Sequence, residues 1–207
     1  METLEAHRTF FAELITAIAG VPKSRLTSAF AATPRERYLG PGPWKVFTGR
    51  GYTLTPSGDP AFLYQDVVVA LEEESGINNG QPALHALCLA ALSVKEGESV
   101  VHIGAGTGYY TAVLAELTGV TGKVFAYEIA QSLAQRATRN LADLPNVAVY
   151  QRSGTEGLLP DCEAIYVVRE PRHRWIPGSM PCAQAGDCCF RSLLTAPEKY
   201  PDLEACC

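Results

Sequence analysis

Residues 100–128 constrain the fold of this chain more tightly than any other stretch. Val100-Val101-His102-Ile103 is a short apolar run that enters Gly104-Ala105-Gly106-Thr107-Gly108-Tyr109-Tyr110, and the helix-like Thr111-Ala112-Val113-Leu114-Ala115-Glu116-Leu117 follows at once. About twenty residues further on, Val124-Phe125-Ala126-Tyr127-Glu128 reads as a second strand ending in a carboxylate, the offset of a ribose-binding acid. Glycines let the backbone turn tightly and let a ligand approach where a Cβ would block it. Strand, glycine loop, helix, strand and acid together specify a nucleoside-cofactor site on a parallel α/β unit.

The spacing selects among cofactors. A dinucleotide loop is spaced G-x-G-x-x-G, with its third glycine at the opening of the helix. Here the order is G-x-G-x-G, and Tyr109 stands where that pattern wants glycine. S-adenosylmethionine has no pyrophosphate, so it needs close backbone approach more than a helix terminus aimed at phosphate. The sequence therefore favours S-adenosylmethionine over NAD. The expected contacts are Ile103, Gly104, Ala105, Gly106, Thr107, Gly108 and Tyr109 on the loop, with Glu128 and Ile129 after the second strand.

Bulk properties narrow the setting. A chain of 207 residues is long enough for a sizeable core. A formal charge of −5 argues against a broad nucleic-acid surface. No apolar run reaches the roughly 18 residues of a membrane span. Glu2, Glu5, His7 and Arg8 do not follow the basic-then-apolar order of a secretory signal, so the cytoplasm is the expected compartment. Five of the seven cysteines crowd residues 182–207, Cys88 and Cys162 read as buried free thiols, and no Cys/His set has zinc-ligand spacing.

Three regions are expected: an N-terminal helical and substrate-covering region (1–62), a cofactor-binding core (63–168) and an atypical tail (169–207). Phe10, Phe11, Leu14, Ile15 and Ile18 recur at helical spacing, and a second helix starts near Ser24. Gly40-Pro41-Gly42-Pro43 marks a loop. Residues 63–71 form an apolar strand or helix that periodicity does not resolve. A helix over 81–92 precedes strand 99–104, helix 109–118, strand 123–128, helix 130–143, and strands 146–151 and 163–168. That alternation predicts an α/β fold, a doubly wound, mostly parallel, Rossmann-like sheet with helices on both faces.

With these residues in view, the chain resembles the class I S-adenosylmethionine-dependent methyltransferases, and within them the protein-L-isoaspartate O-methyltransferases. Thr33-Pro34-Arg35-Glu36-Arg37-Tyr38 is similar to the family's early segment. Asn79-Gly80-Gln81-Pro82-Ala83-Leu84-His85-Ala86 falls where the family has its substrate loop, and Gly106-Thr107-Gly108-Tyr109 matches the cofactor loop. Ser153-Gly154 falls near the family's "D-G" after the third strand, which adds both to the expected cofactor contacts, and Ala164-Ile165-Tyr166-Val167 resembles the fourth strand. The resemblance implies methylation of isoaspartyl carboxylates in proteins, followed by collapse to a succinimide and repair. It also marks three departures: His102 in place of a carboxylate, Gly80 in place of a hydroxyl residue, and Ser153 in place of an aspartate beside the adenine.

Such a reaction needs little from titratable groups. A carboxylate acceptor has a reference pKa near 4 and is already ionised at neutral pH, so orientation and exclusion of water carry the catalysis. Asn78, Asn79 and Gln81 offer amide donors to a bound carboxylate, or serve equally as a turn capping the next helix. His85, one helical turn after Gln81, faces the same pocket or packs in the core. His102 reads as structural or as a weak cofactor contact. Arg35 and Arg37 read as a solvated pair flanking Glu36 rather than as substrate anchors.

The chain changes character near Arg169. Arg169-Glu170-Pro171-Arg172-His173-Arg174-Trp175 has neither helix nor strand periodicity. With a permissible choice among mostly G/C-rich codons for Arg172–Arg191, reading from the last base of the Arg172 codon can give PPLDPWLDALRPGGRLLFPL. That string is an amphipathic helix, a Pro-Gly-Gly turn and an apolar strand, similar to what the family places here. A reading-frame change near Val168 is the expectation that follows, with the sheet ending at residues 164–168 as an open edge.

Overall fold

The computed structural model describes residues 3–168 and the backbone of residues 187–191. Helix α1 (Leu4–Ile18) begins at Thr3, whose hydroxyl accepts from the Ala6 amide, and buries Phe11, Ala12 and Ile15. Helix α2 (Arg25–Ala32) starts after Ser24 as expected, with the Ser24 amide donating to Thr27 Oγ1 at 3.3 Å. A single turn, α3 (Glu36–Leu39), follows. Two small antiparallel hairpins come next: β1 (Lys45–Phe47) with β2 (Tyr52–Leu54), and β3 (Ala70–Glu72) with β4 (Ile77–Asn78).

The central sheet holds β5 (Ser99–Ile103), β6 (Lys123–Tyr127), β7 (Val147–Tyr150), β8 (Ala164–Val168) and β9 (Asp187–Arg191). Its order is β7-β6-β5-β8-β9, with the first four strands parallel. Helices α4 (Pro82–Leu92), α5 (Tyr109–Thr118) and α6 (Gln131–Asn140) complete the described elements.

Both sheet faces are apolar, as a parallel sheet requires. Val100, Val124, Ala164 and Tyr166 face the main core, where Phe11, Phe30, Leu89, Val113, Leu114 and Ala137 of the helices meet them. Val101, Tyr127 and Ile165 alternate onto the opposite face and pack with Leu159 and Cys162 of the β7–β8 connection. Glycine 108 (φ 97°) hands the chain from loop to α5, and a Cβ there would sit 2.7 Å from Leu141 Cδ1.

Several expectations need correction. Residues 63–71 form no continuous element: a 3-10 turn ends at Leu63 and β3 begins at Ala70. The outer edge of β8 is not open, because β9 pairs with it antiparallel from Ala164↔Arg191 to Val168↔Asp187. Apart from that strand, the reading-frame expectation for residues 169–207 lies outside the described residues. Arg35 and Arg37 are not a solvated pair: Arg35 is 0% exposed, and Arg37 makes a bidentate ion pair with Asp143 at 2.9 and 2.5 Å. Cys88 and Cys162 are half-buried rather than buried, and burial raises the Cys162 thiol to about 11.

Candidate functional site

The carboxyl ends of β5 and β6 bring the glycine loop and the acid together. The amides of Gly104 and Ala105 donate to Tyr127 O at 2.9 and 3.0 Å, which bends the loop over the end of β6. Glu128 is next in the chain. Its Oε2 accepts from the Gly106 amide at 2.7 Å and its Oε1 from the Ala130 amide at 2.9 Å. At 7% exposure the carboxylate is nearly enclosed, yet its two oxygens retain lone pairs beyond these two bonds.

Gly104 and Gly108 leave no room for a larger residue. Gly104 has φ 81°, and a Cβ there would lie 2.0 Å from Val168 O of the neighbouring strand. Gly106 also has positive φ, at 56°. A Cβ on Gly154 would lie 2.6 Å from Ile103 Cδ1, so the turn after β7 abuts the end of β5. Ile103, Gly104, Ala105, Gly106, Glu128, Ser153 and Gly154 thus come from three strand ends onto one rim. Ile129, directly after the acid, is 66% exposed. Thr107 and Tyr109 face inward: Thr107 O accepts from Asn140 Nδ2 at 2.9 Å, and the Tyr109 ring packs against Phe30, Tyr38 and Tyr110.

Such a rim fits an adenosyl donor. A carboxylate with spare acceptor sites matches paired ribose hydroxyls, and the glycines at 104, 106 and 108 admit close approach to the backbone. Among the described residues, no group of three or more His, Cys, Asp or Glu side chains is placed to hold a metal ion, and no helix is long and apolar enough to cross a membrane.

The second cluster gathers around the start of α4. Asn79, 8% exposed, pins its loop to the 69 position in both directions: its Oδ1 accepts from the Val69 amide at 2.7 Å and its own amide donates to Val69 O at 3.0 Å. Its Nδ2 is buried with no acceptor among the described residues, which leaves one amide donor uncommitted. Gln81 Nε2 donates to Asp66 Oδ2 at 2.8 Å, and Asp66 Oδ1 accepts from the Ala83 amide at 2.8 Å in the first turn of α4. Asn78 Oδ1 accepts from the Gly80 amide at 2.8 Å.

His85 is a core residue. Its ring stacks on Tyr110 with centroids 3.5 Å apart, and Nδ1 shares a 2.5 Å hydrogen bond with the Tyr166 hydroxyl. Burial holds it well below the ordinary histidine range, helped by the nearby His102 and Arg35. Its position explains the glycine at 80: with φ 71° there, a Cβ would lie 2.0 Å from His85 Nε2. His102 is likewise internal. Its Nδ1 bonds Thr111 Oγ1 at 2.8 Å, and burial pushes it down to about 3. Neither imidazole is charged near neutrality, so neither is a protonated acid there.

Sequence reasoning missed Arg35 and Asp66. Arg35 donates to three main-chain carbonyls, Leu63 O, Gln65 O and Val67 O, at 2.6, 3.2 and 2.6 Å. A charged residue beside a turn gives no sign of burial, because Arg is among the residues most often exposed. The Phe11 ring under the Arg35 guanidinium belongs to α1, and only the assembled fold joins the two.

Comparison with known proteins places this geometry in context. Residues 11–168 match the family model described as protein-L-isoaspartate(D-aspartate) O-methyltransferase. A protein-L-isoaspartate O-methyltransferase of Roseiflexus sp. (strain RS-1) is 26% identical over 163 residues, covering 78% of this chain and 65% of that protein. The protein of that name from Methanocella arvoryzae is 44% identical over 82 residues, 39% of this chain and 43% of the relative. This chain therefore spans less than two thirds of the length of these relatives. A solved protein-L-isoaspartate O-methyltransferase superposes with TM-score 0.62 at 26% identity, over 78% of this chain and 47% of that one. A Plasmodium falciparum protein solved with S-adenosyl-L-homocysteine shares the fold at TM-score 0.58 and 18% identity, over 78% of this chain and 72% of its own.

Proposed function

This chain belongs to the protein-L-isoaspartate(D-aspartate) O-methyltransferase family, and on that premise we propose that it methylates the free carboxylate of isoaspartyl residues in proteins, with S-adenosylmethionine as donor. One observation carries the reading: Glu128, directly after β6, is fastened to the amide of Gly106 in the glycine-rich loop after β5. Glu128 would hold the ribose hydroxyls, Gly104–Gly108 would form the loop against the donor, and Ile103, Ile129, Ser153 and Gly154 would line its adenosine. S-adenosylmethionine, when bound, supplies an electrophilic sulfonium methyl.

The acceptor carboxylate is anionic at neutral pH, so no residue has to remove a proton. The acceptor oxygen bonds the methyl carbon as the sulfur–carbon bond breaks, and the electron pair remains on sulfur. What this chain contributes is alignment and exclusion of water. Asn79 Nδ2, buried and uncommitted, is the donor best suited to orient the acceptor, while Gln81 braces the loop through Asp66. His85 shapes that loop from behind through its contact with Gly80. On this reading its substrates are proteins and its compartment is the cytoplasm, and a formal charge of −5 suits neither nucleic acid nor an anionic membrane surface.

The test is transfer of labelled methyl to an isoaspartyl peptide, with the matching aspartyl peptide as control. Base-labile label on the isoaspartyl peptide alone is the expected result; donor binding without any such label would refute the substrate. One observation favours a second reading, a methyltransferase for another acceptor: Gly80, closed against His85, leaves no space for the hydroxyl residue that the resemblance expects there.

A further inference from the structure

We propose that Arg35, more than fifty residues before the glycine loop and outside the donor rim, is the positioning residue of the acceptor loop 79–83, acting through the irregular segment 63–69. The inference rests on the reading of that loop as the acceptor side of a methyltransferase.

Segment 63–69 lacks the hydrogen-bond ladder of a helix or strand over most of its length, so its shape has to be imposed from outside. Arg35 imposes it on one side. Its guanidinium, fully buried over the Phe11 ring at 5.5 Å, spans Leu63 O, Gln65 O and Val67 O with two nitrogens. Among the described residues it makes no ion pair within hydrogen-bond reach, so main-chain carbonyls, the Phe11 ring face and the more distant Asp66 carboxylate stabilise the cation. An ammonium on a longer stem cannot reproduce that planar fork.

The other side of the same segment holds the acceptor loop at three points. Val69 exchanges two hydrogen bonds with Asn79, Asp66 Oδ2 accepts from Gln81 Nε2, and Asp66 Oδ1 accepts from the Ala83 amide. Asp66 lies between two of the residues whose carbonyls Arg35 grips. The carboxylate therefore takes its place at the start of α4 from the guanidinium on the far side of the chain. None of the hydrogen bonds on this route involves Glu128 or residues 104–108, so acceptor geometry and donor affinity are separable.

Full-length wild type, Arg35→Lys, Asp66→Ala and the double variant provide the test. In Arg35→Lys and Asp66→Ala the KM for isoaspartyl peptide should rise about tenfold, while the Kd for S-adenosylhomocysteine stays within about twofold. The double variant should be no worse than the weaker single, the non-additivity of two residues on one route. Amide hydrogen exchange at Ala83 should speed up in Arg35→Lys, a readout that survives even if the wild type methylates no isoaspartyl peptide; in that event the proposed substrate fails and the route is still tested. Unchanged exchange at Ala83, an unchanged acceptor KM, or a donor Kd that rises in step with KM would overturn the proposal.

Discussion

Acid should weaken this fold through its buried imidazoles, and His102 allows the size of the effect to be worked out. In the unfolded chain a histidine titrates near 6.5; in the fold, burial holds His102 near 3. Between those values the unfolded state binds a proton that the native state refuses. Stability is therefore complete above about pH 6.5 and falls as pH drops towards 3. Integrating the difference from pH 7 to pH 5 gives a loss of about 2 kcal/mol from this one ring. Its Nε2 has no partner among the described residues, so a proton placed there meets no acceptor. His85, depressed chiefly by burial, with His102 and Arg35 acting in the same direction, adds a loss of the same sign. The assay is urea unfolding at pH 7 and pH 5 for wild type and His102→Asn. The substitution lowers stability at both pH values by removing ring packing, but its pH dependence should be shallower by about 2 kcal/mol over that interval. Parallel pH profiles for the two proteins would refute the reasoning.

Further outcomes follow from the same geometry. Gly104→Ala combines a positive φ with a Cβ aimed at Val168 O, and should cost about 2 kcal/mol or more of stability in urea titration together with donor binding in calorimetry. Arg37→Ala removes an exposed ion pair with Asp143, and its thermal midpoint in 0.15 M salt should match the wild type; a clear drop would assign that pair a structural role it lacks here. The coding DNA across residues 168–191 should permit the alternative reading PPLDPWLDALRPGGRLLFPL, and a single codon that forbids it would end the reading-frame explanation of the tail.

The sequence made the glycine loop and its acid legible because local chemistry determines their shape. Glycines at 104, 106 and 108 adopt the positive φ that only they take readily, β5 and β6 alternate apolar residues onto two faces, and Glu128 follows its strand directly. Helix α4 was equally readable from Pro82 at its first turn. Residues 44–80 were not, because their shape comes from contacts distant in the chain: Trp44 with Thr55, Val69 with Asn79, and Arg35 with residues 63–67. The inward packing of Tyr109 against Phe30 and Tyr38 was hidden for the same reason, since α2 and α3 have to be placed before those rings can meet.

Calorimetric titration of wild type and Glu128→Ala with S-adenosylmethionine reads donor binding itself. A saturable single site in the wild type, weakened at least about tenfold by the substitution while urea unfolding stays cooperative, is the outcome this geometry requires. Equal affinity in the two proteins, or no uptake by folded wild type, would contradict the assignment of Glu128 and the glycine loop as the donor site.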